Sequence, residues 1–81
     1  MKEQWTVYIL KCADGTFYVG CTGNLEKRLG RHNKGEVIST KKRLLVELWT
    51  YIVFNDKYKA YKFEKYLKTG SGRAFLNKRF V

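Results

Sequence analysis

The amino-acid sequence predicts a single α+β domain in which a three-stranded antiparallel sheet is flanked by helices, in the order ββαβαα. Three segments rich in β-branched and aromatic residues predict the strands. The remaining segments begin at helix-capping residues and repeat their apolar side chains at the spacing of a helix. With 81 residues, 44% of them hydrophobic, the chain suffices for one small core, so residues 1–81 are assigned to one domain.

Residues 5–12 and 17–21 are predicted to form a β-hairpin. We prefer a three-residue loop, Ala13 to Gly15, over a two-residue Asp-Gly turn, because only the longer loop keeps one face almost purely apolar. Gly15 is then expected to adopt a left-handed conformation. The face assigned to the core carries Val7, Ile9, Phe17, Val19 and Cys21. The opposite, non-core face carries Tyr8, Leu10, Tyr18 and Gly20.

The first helix is predicted to begin after Asn24, a good N-cap, and to end near Gly35. Its inward stripe follows helical spacing, which places one arginine and one histidine on or beside the apolar side. The stripe consists of Leu25, Arg28, Leu29 and His32. Residues 36–42 are predicted to form a polar loop, and residues 44–54 the third strand.

A second helix is predicted over residues 57–68, between the capping pair Asn55-Asp56 and a stop at Gly70. Ser71 is expected to cap a last short helix. The inward stripe of the second helix consists of Ala60, Phe63, Glu64 and Leu67.

Seventeen Lys and Arg residues against seven Asp and Glu residues give a net charge of +10. The positive residues lie in short clusters along the chain, which predicts a broad basic face that attracts polyanions. Nucleic acid is the favoured partner, because its binding releases condensed counterions, and an anionic membrane surface is the rival. The sequence has neither a membrane-length apolar run nor a secretory signal, so we expect a cytoplasmic protein that does not enter a membrane.

Glu64 interrupts the apolar stripe of the second predicted helix. A carboxylate that is truly desolvated needs a cation, because leaving it unpaired costs several kcal/mol. One interpretation is a hard divalent ion held by this carboxylate with water and substrate phosphate. The other is an ion pair with Lys68, one turn later, worth only about 0.3–0.5 kcal/mol. The sequence leaves both open.

Four further residues are candidates for the same site. Arg28 either lays its stem along the edge of the core or aims its planar donors at a phosphate. His32 lies one turn later on the same side, and this proximity is the only reason to consider it. Tyr8 and Tyr18 either pack across the strands or present their hydroxyls to a water or phosphate beside Arg28.

An ordered set of motifs runs through nearly the whole chain: Val7-Tyr8-Ile9, Tyr18-Val19-Gly20, Arg28, His32, Glu64 and Asn77. This set resembles the GIY-YIG nuclease family. Each tripeptide alone is short, whereas the ordered set is far more specific. Within the family the sequence looks most similar to small free-standing bacterial members related to the nuclease domain of excinuclease ABC. The resemblance implies a compact GIY-YIG-type fold, in agreement with the predicted order of elements.

The resemblance also implies catalytic roles. Tyr8 and Tyr18 match the family tyrosines, one of which is proposed to act as general base towards water. Arg28 matches the arginine that holds the scissile phosphate, His32 lies where members carry a histidine or tyrosine, and Glu64 matches the single metal ligand. The residues expected to contact the substrate are Gly20, Lys11, Lys41, Lys42 and Asn77.

The implied activity is that of an endonuclease that hydrolyses DNA phosphodiester bonds with one Mg²⁺ or Mn²⁺ ion, in DNA repair or recombination. An arginine and a divalent ion suit the charge that develops on phosphate oxygens. A tyrosine accepts the proton of water only where nearby cations favour its phenolate, and Arg28, the metal and Lys11 are the candidates. The alternatives are a non-catalytic basic nucleic-acid-binding module and a membrane-surface or protein-interaction domain.

Two positions depart from the family pattern. Val7 stands where glycine gives the family its name, and Cys21 stands where several members have a lysine. The missing lysine removes a cation that would activate a tyrosine, so we expect slower catalysis or a different base.

Overall fold

A computed structural model describes residues 4–80. Its elements are β1 (Trp5–Lys11), β2 (Phe17–Thr22), α1 (Leu25–Asn33), β3 (Glu47–Phe54), α2 (Lys57–Leu67) and α3 (Gly70–Arg79). The strands form one antiparallel sheet in the spatial order β2-β1-β3, so β1 is central. The predicted α+β class and the ββαβαα order are confirmed. Among the residues described, no helix is long and apolar enough to cross a membrane.

The β1–β2 hairpin has the predicted register, with Tyr8 opposite Gly20. The Cys12 N–H donates to the Thr16 carbonyl at 2.8 Å, which leaves a three-residue loop. Gly15 in this loop has a φ of +84°, the left-handed conformation that the prediction requires. Because side chains alternate along a strand, each face of the hairpin presents its own set of residues.

The helices α2 and α3 cover the face of the sheet that the sequence assigns to the core. The inward side of α2 is the predicted one, with Ala60 and Leu67 fully buried and Phe63 half-buried. The buried cluster consists of Val7, Ile9, Val19, Ala60, Leu67 and Leu76. Burial of each of the large aliphatic side chains stabilises the fold by about 1.5–3 kcal/mol, and together these contacts fix α2 against the hairpin.

The opposite face of the sheet forms a second core, which corrects the expectation that it lies outside the core. Tyr8 and Leu10 are fully buried there. The helix α1 covers one part of this face with Leu25 and Leu29, and Leu44 and Val46, which precede β3, cover another. The buried residues of the connection between α1 and β3 are Val37, Thr40 and Val46. They lie in irregular structure, where no periodicity marks the buried positions.

The strand β3 begins at Glu47, three residues later than predicted. The Arg43 carbonyl accepts the Ala13 N–H at 3.0 Å, and the Val46 N–H donates to Asn33 Oδ1 at 3.4 Å. The segment before β3 is therefore held to the hairpin loop and to the end of α1 rather than to β1.

The junction between α2 and α3 is tighter than predicted. The helix α2 ends at Leu67, and Gly70 begins α3 instead of terminating α2. Thr69, not Ser71, is the N-cap of α3, and its Oγ1 accepts the Gly72 N–H at 3.1 Å. Thr69 supplies the acceptor that caps α3, so Ser71 is not the N-cap and lies within the first turn of the helix.

Candidate active site

The candidate site forms where the side chain of Tyr8 crosses over β2. Tyr8 lies opposite Gly20, and a Cβ atom at position 20 would overlap the hydroxyl and the adjoining ring carbon of Tyr8. The absence of a side chain on Gly20 therefore leaves the space that the phenol occupies.

His32 lies beside Tyr8 and has a hydrogen-bond partner at each ring nitrogen. Its Nε2 is 3.0 Å from the Tyr8 hydroxyl, and its Nδ1 is 2.7 Å from the Thr40 hydroxyl. Burial, reinforced by the positive charges of Arg28 and Arg31, lowers the pKa of His32. A neutral imidazole has one donor and one acceptor nitrogen, so Tyr8, His32 and Thr40 form a directed chain of hydrogen bonds.

Burial raises the pKa of Tyr8 to about 12, although the nearby Arg28 guanidinium acts in the opposite direction. Tyr8 is therefore a neutral phenol near pH 7, and the phenolate expected from nearby cations is not its resting state. Lys11 does not change this, because it lies on the other face of the sheet with its Nζ 5.1 Å from the centre of the Trp49 ring.

Tyr18 completes an aromatic cluster with Tyr8 and His32. Its ring centroid is 6.3 Å from that of Tyr8 and 5.3 Å from that of His32. The side chain is half-buried, whereas Tyr8 is fully buried. Tyr18 is therefore the more accessible of the two tyrosines.

Arg28 projects from the first turn of α1, which starts at the predicted N-cap: Asn24 Oδ1 accepts the Lys27 N–H at 3.1 Å. Interaction with the Tyr8 hydroxyl raises the pKa of Arg28. The Arg28 Nε is buried and has no hydrogen-bond partner within residues 4–80. A buried unsatisfied donor costs about 1–3 kcal/mol, so the site holds a cationic donor that an oxygen of a ligand would satisfy.

Glu64 approaches the same cluster from α2, with 16% of its side chain exposed. Its Oε2 accepts a hydrogen bond from Lys68 Nζ at 2.9 Å, so the ion pair that the sequence allows is present. The Lys68 ammonium also lies 5.9 Å from the centre of the Tyr18 ring. Burial and the charge of Glu64 raise the pKa of Cys21 in β2.

The donor set fits a hydrated divalent ion held by one carboxylate. Residues 4–80 contain no group of three or more His, Cys, Asp or Glu side chains that would form a dedicated metal cage. Mg²⁺ usually keeps several waters and binds through one or two carboxylates together with substrate phosphate. Glu64 is partly exposed and has one carboxylate oxygen outside the Lys68 ion pair, which suits this mode of binding.

The other predicted substrate-binding residues make no hydrogen bond to this cluster within residues 4–80. Lys41 and Lys42 are exposed in the connection between α1 and β3. Asn77 is exposed on α3, and no hydrogen bond in the described part of the chain joins it to Tyr8, Arg28 or Glu64. The structure thus brings together the five predicted catalytic residues and Gly20, and the roles of Asn77 and the lysines stay predictions.

Two residues of the cluster have roles that the sequence did not indicate. Thr40 fixes His32 from within the connection, where nothing in the local sequence signals a buried hydroxyl. Lys68 was recognisable as the helical neighbour of Glu64, but its position over Tyr18 depends on how α2 packs against β2.

Comparisons with known proteins show the family and the fold to which this chain is similar. A family model described as the GIY-YIG catalytic domain matches residues 4–79. The UPF0213 protein YsiG of Lactococcus lactis is 44% identical over 67 residues, which are 82% of this chain and 64% of that protein. A UPF0213 protein of Bacillus pumilus is 44% identical over 69 residues, covering 84% of this chain and 70% of that protein.

The solution NMR structure of a UPF0213 protein from Bacillus halodurans has a similar fold, with a TM-score of 0.59 and 28% identity. The similarity covers 93% of this chain and 83% of that chain. The chain spans less than two thirds of the Lactococcus relative. The match over residues 4–79 includes both strands of the hairpin and every residue of the tyrosine, arginine, histidine and glutamate cluster, and so the chain belongs to the GIY-YIG family.

Proposed function

We propose that this protein is a divalent-metal-dependent endonuclease that hydrolyses phosphodiester bonds in DNA. The observation that carries the proposal is the convergence of Tyr8, Arg28, His32 and Glu64 at β2, with the Arg28 Nε buried and unpaired within residues 4–80. Together they offer positive charge for a phosphate, a proton acceptor and a ligand for a hard cation. Membership of the GIY-YIG family supports the same activity. A role in DNA repair or recombination and a cytoplasmic location stay predictions.

Arg28 is proposed to bind the scissile phosphate. Its unpaired Nε and its terminal nitrogens form a planar donor set that matches two phosphate oxygens. As water attacks, negative charge builds up on the non-bridging oxygens, and a guanidinium already fixed beside them stabilises that charge.

Tyr8 is proposed to take the proton of the attacking water while its own hydroxyl proton passes to His32 Nε2, 3.0 Å away. This transfer requires that His32 Nδ1 carries the other ring hydrogen and donates it to Thr40, 2.7 Å away. The route needs no free phenolate, in keeping with a Tyr8 pKa of about 12. Tyr18, the more accessible tyrosine, is the other candidate for the base.

Glu64 is proposed to hold the metal ion, for which it has to share or release its ion pair with Lys68. When bound, Mg²⁺ or Mn²⁺ supplies Lewis-acid stabilisation of the phosphate charge. Glu64 would hold the ion through the carboxylate oxygen that lies outside the Lys68 ion pair.

A second candidate function is a basic nucleic-acid-binding module without turnover. The ion pair between Lys68 and Glu64 favours it, because a carboxylate already paired with an ammonium binds a divalent ion less readily. The raised pKa of Tyr8 favours it as well, since a neutral phenol is a weak base.

The test is cleavage of supercoiled plasmid and of flap, fork and four-way-junction DNA, with a single-stranded RNA alongside, in Mg²⁺, Mn²⁺ or EDTA. The variants are Glu64→Gln and Arg28→Ala, and the matched control is Glu47→Gln, which removes an exposed carboxylate on β3. We expect metal-dependent cuts from the wild type and the control. We expect a loss of at least about 100-fold in both site variants, with DNA binding retained by Glu64→Gln.

Salt-sensitive binding without cleavage of any substrate in either metal would instead establish the binding module. Cleavage that survives Glu64→Gln but is lost in Arg28→Ala would show that the protein itself cleaves with the metal held elsewhere, and this result would refute the proposed site. Comparison of Tyr8→Phe with Tyr18→Phe then identifies the base.

A further inference from the structure

Two basic clefts lie along β2, and each includes one residue of the candidate site, Tyr18 in the first and Arg28 in the second. The hairpin cleft has a volume of about 300 Å³, begins beside Phe17 and is lined by three cationic residues: Arg43, Lys68 and Arg73. The helix cleft has a volume of about 200 Å³, begins beside Thr22 and is also lined by three cationic residues: Lys27, Arg28 and Arg31.

Charge distinguishes these two clefts from a third, larger one. Among the described residues, no carboxylate lines the hairpin cleft or the helix cleft. The third cleft, about 580 Å³ beside α1, is lined by Glu26 and Glu36. Arg31 and Lys68 pair with Glu36 and Glu64, which leaves Arg43 and Arg73 in the hairpin cleft and Lys27 and Arg28 in the helix cleft without an ion pair among residues 4–80. An anionic ligand therefore suits the two smaller clefts.

Arg43 is fixed in the hairpin cleft before any ligand binds. Its Nη1 donates to Thr16 Oγ1 at 2.9 Å, and its Nε and Nη2 donate to the Ser39 carbonyl. These bonds use three of the five guanidinium N–H donors, which leaves two for a ligand. Because the side chain is already ordered, little conformational entropy is lost when an anion binds.

The spacing of the clefts suits an extended polyanion. The β2 residues of the hairpin cleft, Phe17 to Val19, are three to five residues from Thr22 in the helix cleft. A strand rises about 3.3 Å per residue, so these residues are about 10–17 Å apart along β2. β2 is an edge strand, so a chain of phosphates can lie along its outer side without displacing another strand.

We infer that the hairpin cleft, through Arg43 and Arg73, and the helix cleft, through Lys27 and Arg31, bind the phosphates that flank the scissile phosphate held by Arg28. This inference rests on the proposed nuclease function. The substrate is then the interior of a nucleic-acid strand, with phosphates both upstream and downstream of the cut. A strand end or a short fragment fills only one cleft and is a poorer substrate.

The first test measures binding of single-stranded DNA to proteins that also carry Glu64→Gln, by fluorescence anisotropy over a range of salt concentrations. One variant combines Arg43→Gln with Arg73→Gln, and another combines Lys27→Gln with Arg31→Gln. The matched control combines Lys59→Gln with Lys62→Gln, two exposed lysines of α2 outside both clefts. Thermal melts of each protein confirm folding.

We expect each cleft variant to lower the slope of log K against log salt by about 1.4, since each phosphate contact on a single strand contributes about 0.7. The control removes the same charge, and its slope is expected to change by less than half as much. Equal slopes in the three variants would overturn the inference, whether or not the wild type cleaves DNA.

The second test measures cleavage by proteins with Glu64 intact, on strands in which one neutral methylphosphonate replaces a phosphate beside the cut. Neutral linkages on both sides are expected to slow wild-type cleavage. In the Arg43→Gln, Arg73→Gln protein, the neutral linkage on the side of the hairpin cleft is expected no longer to slow cleavage. The neutral linkage on the side of the helix cleft is expected to slow it as before. Changed salt slopes without cleavage would support phosphate binding in the clefts and refute the nuclease function. Cleavage that is unaffected by either neutral linkage would support the nuclease function and refute phosphate binding in the clefts.

Discussion

At the scale of the single residue, His32 gives the folded protein a pH-dependent stability. It is the only histidine in the chain and is fully buried. Burial lowers its pKa in the folded state, whereas the unfolded chain has an ordinary value near 6.5. Below about pH 6.5 the unfolded chain therefore binds a proton that the folded protein does not, and stability falls as the pH decreases. We expect a lower thermal midpoint at pH 5 than at pH 7.5, by about 4–8 °C for each kcal/mol lost.

The control for this effect is His32→Gln. It is expected to be less stable overall, because the hydrogen bonds to Tyr8 and Thr40 are disturbed, but to have a nearly constant midpoint between pH 5 and pH 7.5. No other type of side chain has an ordinary pKa in this range, so an equally steep loss in the variant would contradict the assignment.

The same residue scale shows how far the site was predictable. Arg28 and Glu64 were identified because a charged residue in an apolar helical stripe is an anomaly visible in the sequence. Thr40 was not, because its burial follows from the path of an irregular segment. Lys11 was wrongly expected to act on the tyrosines, although its position in the hairpin already placed it on the other face.

At the scale of the element, the α2–α3 junction depends on one glycine. A Cβ atom at Gly72 would overlap the carbonyl of Tyr66 and approach the Leu67 Cα, and a backbone contact cannot be relieved by a new rotamer. Gly72→Ala is expected to destabilise the protein by about 1–3 kcal/mol or more, measured by urea unfolding. Gly70→Ala is the matched control, because no described atom lies within 4 Å of a Cβ there, and it is expected to stabilise by about 0.4–1 kcal/mol.

A Gly72→Ala protein as stable as the wild type would show that the two helices separate easily. That result would also weaken the position of Glu64, because α3 helps to hold α2 against the hairpin.

The sequence predicted the elements whose apolar residues or caps follow a regular pattern, and it did not predict the path of the irregular segments. The hairpin register followed from alternation along two strands, and the start of α1 followed from its Asn24 cap. The end of α2 was misplaced, because Gly70 has the composition of a stop signal while its backbone belongs to the first turn of α3. The second core was missed because Leu44 and Val46, which cover the face of Tyr8 and Leu10, lie in irregular structure where no periodicity marks a buried position.

At the scale of the whole molecule, the net charge of +10 opposes folding. Within residues 4–80 only two ion pairs compensate it, Arg31 with Glu36 and Lys68 with Glu64. The molecule measures 33 × 30 × 17 Å. At about 0.01 M salt the screening length is about 30 Å, so nearly all of the positive charges repel one another. At about 0.15 M the screening length falls to about 8 Å and only neighbours interact.

We therefore expect the thermal midpoint to rise by several degrees when sodium chloride is increased over this range. The Lys59→Gln, Lys62→Gln protein is expected to have a higher midpoint at low salt and a weaker dependence, because two repelling charges are removed. A midpoint that falls with salt, or that rises equally in this variant, would show that the positive charges do not destabilise the fold.

DNA bound along β2 would also compensate the positive charges. At low salt, an oligonucleotide is therefore expected to raise the thermal midpoint more than sodium chloride does at equal ionic strength.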